Sequence, residues 1–247
     1  MNTIYLVTLA ISLLTCNTND KKNNVTDQTD VSVVTDDHEW ISLFDGKTFD
    51  GWHRYNHDTP SNAWIIKDGA MTFDPSVVTK EDRVHDLVTD SNFTSFELSL
   101  EWNIAEGGNS GVFWGVVEDK KYHTPYLTGP EIQVLDNERH PDAKANPKFH
   151  QAGALYDMVQ PTQDVCKPAG TWNHILLSIN HNTNKGSVAL NGVEIVSFPV
   201  SGAGWDALIA NSKFKNWDAF GKFKTGKIGL QDHGDVVSYR NIKIREL

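Results

Sequence analysis

Strict alternation of apolar and polar residues distinguishes positions 95–104, which read SFELSLEWNI. Five apolar residues take every second position: Phe96, Leu98, Leu100, Trp102 and Ile104. A period of two predicts a β-strand with one buried face and one solvated face. Positions 188–190 (VAL) and 193–195 (VEI) form two further strand-like segments, joined by Asn191-Gly192. Because Asn-Gly supplies the positive φ angles of a type I′ turn, these segments predict a β-hairpin.

Short strands separated by turns are expected over most of the remaining chain. Positions 174–180, 227–231 and 236–244 predict further strands, and the one good helix candidate is 205–211. The sequence shows no long helical periodicity and no internal repeat. Many short strands with turns between them indicate an all-β fold, a two-sheet antiparallel sandwich. One sheet of such a sandwich often bends into a concave face, where polar side chains can point toward a ligand.

The segment GPEIQVLDN at 129–137 places a carboxylate and an amide inside an apolar strand pattern. On strict alternation Ile132 and Val134 face the core, whereas Glu131, Gln133 and Leu135 point away from it. Either these two polar groups are only solvated, or they belong to a ligand-binding surface.

Two other segments repeat this feature. In IGLQDHG at 228–234 the apolar residues are expected to face the core, which leaves Gln231 and His233 on the open face. GGNSG at 107–111 adds Asn109 at the start of an apolar strand. Amides, a carboxylate and an imidazole held on strands form a preorganised hydrogen-bonding surface for hydroxyl-rich ligands. An ordinary solvated face is the alternative interpretation.

The N-terminal residues predict an export signal followed by a flexible tether. The apolar run at 4–14 is too short to span a bilayer permanently and suits the h-region of a signal peptide. The four residues that end at Cys16 resemble a lipoprotein signal, so residues 1–15 are expected to be removed and Cys16 to carry lipid. Polar residues 16–38 then tether an exported lipoprotein, periplasmic or anchored in the outer membrane. The lack of Lys and Arg before the apolar run favours the alternative, a disordered cytosolic leader.

Charge and tryptophan content narrow the expected partners. Lys plus Arg number 22 and Asp plus Glu number 32, which gives a net charge of −10. An acidic chain without a basic block is a poor candidate for binding nucleic acid or anionic lipid, so membrane contact is expected only through the lipid anchor.

The chain has eight tryptophans, and an indole face suits stacking on a sugar ring. The candidates are Trp52, Trp114, Trp205 and Trp217, with core filling as the alternative.

Seven sequence blocks resemble the 3-keto-disaccharide hydrolase family. They are FDGKTFDGW (44–52), GGNSGVFW (107–114), GPEIQVLDN (129–137), HQAGALYDMVQP (150–161), TWNHILLSI (171–179), LNGVEIV (190–196) and GLQDHGDVVSYRNIKIREL (229–247). The resemblance implies that residues 39–247 form a concanavalin A-like jelly roll. It also implies a carbohydrate substrate, a glycoside whose C3 hydroxyl has been oxidised to a ketone.

A ketone at C3 suggests an elimination mechanism. The carbonyl acidifies the proton on C2 and places the C1 leaving group β to the resulting enolate. A base takes the C2 proton, hydrogen-bond donors hold the enolate oxygen, the aglycone leaves and water adds back. Ordinary glycosidases instead use paired carboxylates. Laminarinase-type glucanases carry Glu-x-Asp-x-x-Glu, and this chain has Glu131, Gln133 and Asp136 at that spacing. An oxocarbenium-type glycosidase and a non-catalytic carbohydrate-binding module are therefore the alternative functions.

The expected site residues follow from the polar strand positions and the family blocks. The expected catalytic residues are Glu131, His150 and His233, since imidazole and a tuned carboxylate both titrate in a useful range. The expected substrate-binding residues are Asn109, Trp114, Gln133, Asp136, Tyr156 and Gln231. A divalent metal ion is the one cofactor considered, with mixed oxygen and nitrogen ligands from Glu131, Asp136, His150 and His233. No metal-binding spacing such as His-x-x-x-His supports that metal site.

Overall fold

The computed structural model describes residues 39–79, 82, 84–145 and 148–247. The predicted signal peptide at 1–15 and the predicted tether from Cys16 to residue 38 lie outside the described residues. The strands are β1 (Ile41–Ser42), β2 (Trp52–Arg54), β3 (Trp64–Lys67), β4 (Ala70–Phe73), β5 (Leu87–Thr89), β6 (Phe96–Ile104), β7 (Asn109–Val116), β8 (Glu131–Leu135), β9 (Asn173–Asn180), β10 (Lys185–Leu190), β11 (Val193–Phe198), β12 (Lys227–Leu230) and β13 (Val237–Glu246). The helices are α1 (Pro141–Ala145) and α2 (Gly202–Ala210), and 3₁₀ turns cover Pro75–Val77 and Pro125–Leu127.

These strands form two antiparallel sheets, which confirms the predicted all-β sandwich. The eight-stranded sheet has the order β11-β10-β9-β6-β13-β4-β3, with β1 also paired to β13. The five-stranded sheet has the order β2-β5-β12-β7-β8. Strand β7 lies between β8, the next strand in the chain, and β12, which is distant in the sequence. The three polar segments at 107–111, 129–137 and 228–234 therefore lie side by side.

The main apolar core combines residues of both sheets. Leu98 and Leu100 on β6 belong to one buried cluster with Val112, Ile132 and Ile228 of the five-stranded sheet. Burying each such side chain contributes roughly 1.5–3 kcal/mol relative to leaving it exposed. Because neighbouring side chains on a strand point to opposite faces, this burial directs the alternate residues of β7 and β8 to the other face of the sheet.

The structure contains the predicted hairpin and the predicted helix. Strands β10 and β11 pair with Leu190 opposite Val193, and Asn191 and Gly192 have φ angles of 52° and 84°, as the predicted hairpin requires. Helix α2 begins at Gly202, earlier than the predicted start at residue 205. Within the described ranges, none of the helices has the length and apolar character needed to cross a membrane.

Candidate functional site

Neighbouring strands of the five-stranded sheet align four residues in a row on its outward face. Gln133 on β8 pairs with Gly111 on β7. Gln231, directly after β12, donates its backbone N–H to the Gly111 carbonyl at 2.9 Å. On the other side of β12, Leu230 pairs with Leu87 on β5. The next residues outward, Gln231 and Asp86, are therefore neighbours, and Asp86 completes the row. The fold thus brings two amides and a carboxyl group together across four strands.

Two adjoining cavities lie over this outward face. The Glu131 cavity has a volume of about 380 Å³ and is lined by Asn109, Tyr126, Glu131, Gln133, Tyr156, Lys213, Phe214, Trp217, Gln231 and His233. The Asp86 cavity has a volume of about 570 Å³ and is lined by Pro75, Val78, Thr79, Val84, Asp86, Thr124, Tyr126, Gln231, Asp232, His233 and Gly234. Tyr126, Gln231 and His233 line both cavities, so the two adjoin, and together they are called the cleft. Each volume lies in the usual range for a small-molecule site.

Glu131 supplies a half-buried carboxyl group to the first of these cavities. Its side chain occupies the space that a β-carbon on Gly111 would need, so the carboxyl group lies directly over β7. Among the described residues, no side chain or backbone group forms a hydrogen bond to this carboxyl group. Burial raises the pKa of Glu131 from 4.5 to about 8, against the opposing effect of the Lys213 ammonium. A carboxyl group with a pKa near neutrality is suited to general acid or base catalysis.

Three amide side chains surround Glu131, and each is at least nine-tenths buried: Asn109, Gln133 and Gln231. Asn109 Nδ2 lies 3.3 Å from Nε2 of the exposed His233, and Gln133 Oε1 accepts the Val134 N–H at 3.2 Å. Asn109 Oδ1 and Gln231 Oε1 are buried and have no partner among the described residues. Because a buried polar atom normally forms a hydrogen bond, these two oxygens are available to a ligand.

An aromatic wall closes one side of the Glu131 cavity. Tyr126 and Trp217 have ring centroids 6.0 Å apart, and Phe214 meets Trp217 edge to face at 5.0 Å. The Lys213 ammonium lies 4.1 Å from the ring centroid of Tyr156. Of the four tryptophan candidates, Trp217 lines this cavity. Tyr126, Lys213 and Phe214 were not among the expected site residues, because they come from a 3₁₀ turn and from the connection after α2, where no periodic pattern marks them.

The structure does not bring His150, an expected catalytic residue, to the cleft, since His150 lines neither cavity. Its Nδ1 is 2.8 Å from Asp142 Oδ1, and its Nε2 is 3.0 Å from Asp157 Oδ1. With a carboxylate on each ring nitrogen, His150 has no free nitrogen for a substrate proton. Its ring stacks on Tyr156 at 4.4 Å, and the Tyr156 hydroxyl donates to Asp142 Oδ2 at 3.1 Å. His150 therefore holds Tyr156 in the cavity wall.

Trp114 and Asp136 also lie away from the cleft, against their expected roles in substrate binding. Trp114 is 5% exposed and stacks on Phe198 in the main core at 5.8 Å, because it points to the opposite face of β7 from Phe113. Asp136 accepts the backbone N–H groups of Gly107 at 2.8 Å and Glu138 at 3.1 Å. Burial opposes ionisation of Asp136, but these hydrogen bonds outweigh it and lower its pKa.

The four expected metal ligands do not converge. Glu131 and His233 line the Glu131 cavity, whereas His150 and Asp136 are engaged elsewhere. In the described part of the chain, no three His, Cys, Asp or Glu side chains are grouped so that they would hold a metal ion.

Asp86 and Asp232 form a buried acidic pair beside the Asp86 cavity. Both are less than a tenth exposed. Asp86 Oδ1 accepts the Asp232 N–H at 3.3 Å, and Asp232 Oδ2 accepts the His85 N–H at 2.8 Å. Burial, followed by the charge of Asp232, raises the pKa of Asp86 well above its ordinary value. Burial also raises the pKa of Asp232. The cleft therefore contains a second carboxyl group that favours its protonated form, which the sequence analysis did not identify.

The two sheets and their polar cleft define a concanavalin A-like or galectin-like sandwich. A protein of unknown function with a galectin-like fold from Bacillus subtilis superimposes with a TM-score of 0.51 at 12% identity, over 80% of this chain and 90% of that one. This likeness concerns the fold alone.

The chain belongs to the family of 3-keto-alpha-glucoside-1,2-lyase-like domains, whose pattern matches residues 39–245. A 3-keto-disaccharide hydrolase of Bacteroides thetaiotaomicron is 36% identical over 231 residues, which cover 84% of this chain and 78% of the relative. A crystal structure of a Parabacteroides distasonis protein, described as a glycosyl hydrolase, superimposes with a TM-score of 0.76 at 30% identity. That match covers 84% of this chain and 94% of the other. These relatives make the chain a member of an enzyme family.

Proposed function

We propose that this protein cleaves 3-keto-glycosides, among them 3-keto-disaccharides, with Glu131 as the base that takes the proton from C2. The proposal depends on the environment of the Glu131 carboxyl group. This carboxyl group lies in a ligand-sized cavity, has no hydrogen-bond partner among the described residues, and has a pKa raised to about 8 by burial. The names of the family and of the Bacteroides relative support this substrate class.

Removal of the C2 proton produces an enolate, whose oxygen at C3 needs positive charge or hydrogen-bond donors. Lys213 carries a positive charge in the same cavity as Glu131. The Gln133 oxygen is already bonded to the Val134 N–H, so its amide nitrogen is the group left for a ligand. Donors that are fixed before the reaction stabilise developing charge without reorganisation. We assign enolate stabilisation to Lys213 and Gln133.

The cavity walls suit a sugar ring. Trp217 and Tyr126 offer apolar faces, while Asn109 Oδ1 and Gln231 Oε1 offer acceptors for hydroxyl groups. After the aglycone leaves C1, water adds to the C1–C2 double bond, and the net reaction is hydrolysis. An elimination across C1 and C2 also agrees with the description of the family as 1,2-lyase-like.

The laminarinase-type alternative is less well supported. Its second and third carboxylates correspond to Gln133, an amide, and to Asp136, which is held by Gly107 and Glu138 away from the cleft. An oxocarbenium mechanism needs a second carboxyl group at a defined separation from the first. Of the three residues with this sequence spacing, Glu131 alone places a carboxyl group in the cleft.

The test compares pairs of glycosides that differ only at C3. A 3-keto-disaccharide and 4-nitrophenyl 3-keto-glucoside should release their aglycones, whereas the same glycosides with a C3 hydroxyl should be inert. Glu131→Gln should lower kcat/KM by about 100-fold or more. The matched control is Glu138→Gln, which removes an exposed carboxylate outside the cleft and should leave the rate unchanged. Cleavage of plain glycosides would favour the oxocarbenium mechanism, and tight binding without turnover would favour a binding module.

We also propose that the chain is exported and lipidated on Cys16. The support is the apolar run at 4–14, followed by Cys16 and a polar stretch. Labelled palmitate should be incorporated into the protein in a Gram-negative host and lost in Cys16→Ser. Unlabelled protein in the cytosol would contradict this proposal.

A further inference from the structure

The Asp86 cavity has no part in the proton abstraction proposed above, yet polar atoms in its wall lack partners. The Thr124 hydroxyl is buried and has no partner among the described residues. Thr124 precedes the 3₁₀ turn that begins at Pro125, but its side chain forms no capping hydrogen bond there. Gln231 Oε1 is likewise unpaired at the junction of the two cavities. Leaving a buried polar group unpaired is costly, and a ligand that bonds both atoms accounts for them.

Asp86 lines one of the two adjoining cavities, and Glu131 lines the other. Asp86 ends the four-strand row on the β5 side, and Glu131 is on β8, two positions before Gln133 at the other end of the row. Three strand spacings of about 4.8 Å and an offset of two residues along β8 place the two backbones roughly 16 Å apart. The Glu131 side chain reaches inward over Gly111 on β7. The space between the two carboxyl groups, with Gln231 in its floor, suits one sugar ring with its C1–C2 bond between them.

We propose that Asp86 is the acid that protonates the departing glycosidic oxygen, and that the Asp86 cavity receives the aglycone. This inference rests on the proposed function and adds a catalytic residue and a second subsite to it. The protonated form of Asp86 is favoured by its burial and by the neighbouring carboxylate of Asp232, both of which raise its pKa. A buried protonated carboxyl group can donate where an ionised one would only accept.

The proton and electron balance is complete with these two residues. Glu131 as carboxylate takes the C2 proton, and the C–H electron pair moves into the enolate. As the ketone reforms, that pair becomes the C1–C2 double bond and the C1–oxygen bond breaks. Asp86 gives its proton to the departing oxygen. Water then adds its oxygen to C1 and a proton to Asp86, while Glu131 returns a proton to C2. Both residues end as they began, and no oxidant or reductant is consumed.

The wall of the Asp86 cavity indicates the chemistry of the aglycone. Its lining combines apolar Pro75, Val78 and Val84 with polar Thr124 and Asp86. A second sugar residue fits this combination, because it has an apolar ring face and hydroxyl groups at its edge. We therefore assign the subsite to the second sugar of a 3-keto-disaccharide.

The leaving group provides the test of Asp86. A sugar alcohol is a poor leaving group that needs a proton, whereas 4-nitrophenolate leaves without one. Asp86→Asn should lower kcat/KM for the 3-keto-disaccharide by about 100-fold or more and change kcat/KM for 4-nitrophenyl 3-keto-glucoside less than about fivefold. Glu131→Gln should lose activity on both substrates. The control is Glu138→Gln, which removes an exposed carboxylate outside the cleft and should leave kcat/KM for both substrates unchanged.

Each outcome of this comparison bears on one proposal. Equal losses on both substrates in Asp86→Asn, or no loss on either, would overturn the role of Asp86. Absence of turnover in the wild type would instead overturn the proposed function. If Asp86→Asn does not fold, Thr124→Val tests the subsite: KM for the 3-keto-disaccharide should rise severalfold while KM for methyl 3-keto-glucoside stays constant. Equal changes in both KM values would overturn the placement of the aglycone.

Discussion

The carboxyl group of Glu131 lies where a β-carbon of residue 111 would lie, and the chain has glycine at that position. The two residues come from neighbouring strands, since Glu131 pairs with Phe113 on β7 and Gly111 is two positions earlier. Absence of a side chain at residue 111 thus allows an acidic group to lie against the sheet, where burial raises its pKa.

Gly111→Ala should displace the Glu131 side chain. A methyl group at residue 111 would overlap the carboxyl group and Cγ of Glu131. Because a misplaced catalytic group costs about 100-fold in rate, kcat/KM for 3-keto-glycosides should fall by about that factor. Steady-state kinetics of the variant measure the effect.

The matched control for Gly111→Ala is the same change in a Glu131→Ala background. There the methyl group has room, so its cost in the free energy of unfolding should largely vanish. A double-mutant cycle by chemical denaturation measures this coupling. Additive free energies would show that the two side chains do not compete for the same space.

Glu131 should make the folded protein less stable as the pH rises. Its pKa is 4.5 when unperturbed and about 8 in the fold, so the folded state holds the proton more tightly. The contribution of the protonated group is fully present below pH 4.5 and is lost as the pH rises through 8. Between these values Glu131→Gln should gain stability over the wild type by up to about 1.4 kcal/mol per pH unit. Denaturant unfolding of both proteins from pH 5 to 8.5 measures it, and parallel curves would exclude the raised pKa.

The raised pKa of Glu131 also predicts the pH dependence of catalysis. A base must be ionised in the free enzyme, so kcat/KM should rise about tenfold per pH unit below 8 and level off above it. Initial rates on 4-nitrophenyl 3-keto-glucoside suit this measurement, because the leaving group needs no acid. A plateau already reached at pH 6 would assign the base to a group with an ordinary carboxylic pKa.

Thr124→Val should stabilise the protein in the absence of ligand. The hydroxyl group is buried without a partner among the described residues, and valine has nearly the same shape. Removing an unpaired buried polar group should raise the free energy of unfolding by about 1 kcal/mol. Thermal unfolding detects the change. A loss of similar size would mean that the hydroxyl group has a structural partner.

The sequence predicted the elements that depend on local patterns. Strand β6, the β10–β11 hairpin and the outward direction of Glu131 and Gln133 follow from a period of two or from one Asn-Gly turn. These features were predictable because burial of one strand face determines the direction of every second side chain.

The remaining parts of the cleft depend on contacts between distant residues. Asp86 joins the row only because β5 pairs with β12, and Lys213 enters the cavity from the connection after α2. His150 belongs to a family block, but its position outside the cleft is set by Asp142 and Asp157. The position of Trp114 could not be predicted for a similar reason. A shift of one residue along β7 would turn its side chain from the core to the cleft.

The central claim is that Glu131 breaks the C2–H bond, and the most direct measurement is the rate with a 3-keto-glycoside deuterated at C2. The deuterated 4-nitrophenyl substrate should react more slowly than the protiated one in kcat/KM, and aglycone release should become very slow with either substrate in Glu131→Gln. Equal rates for the two substrates, together with undiminished aglycone release in Glu131→Gln, would contradict the account.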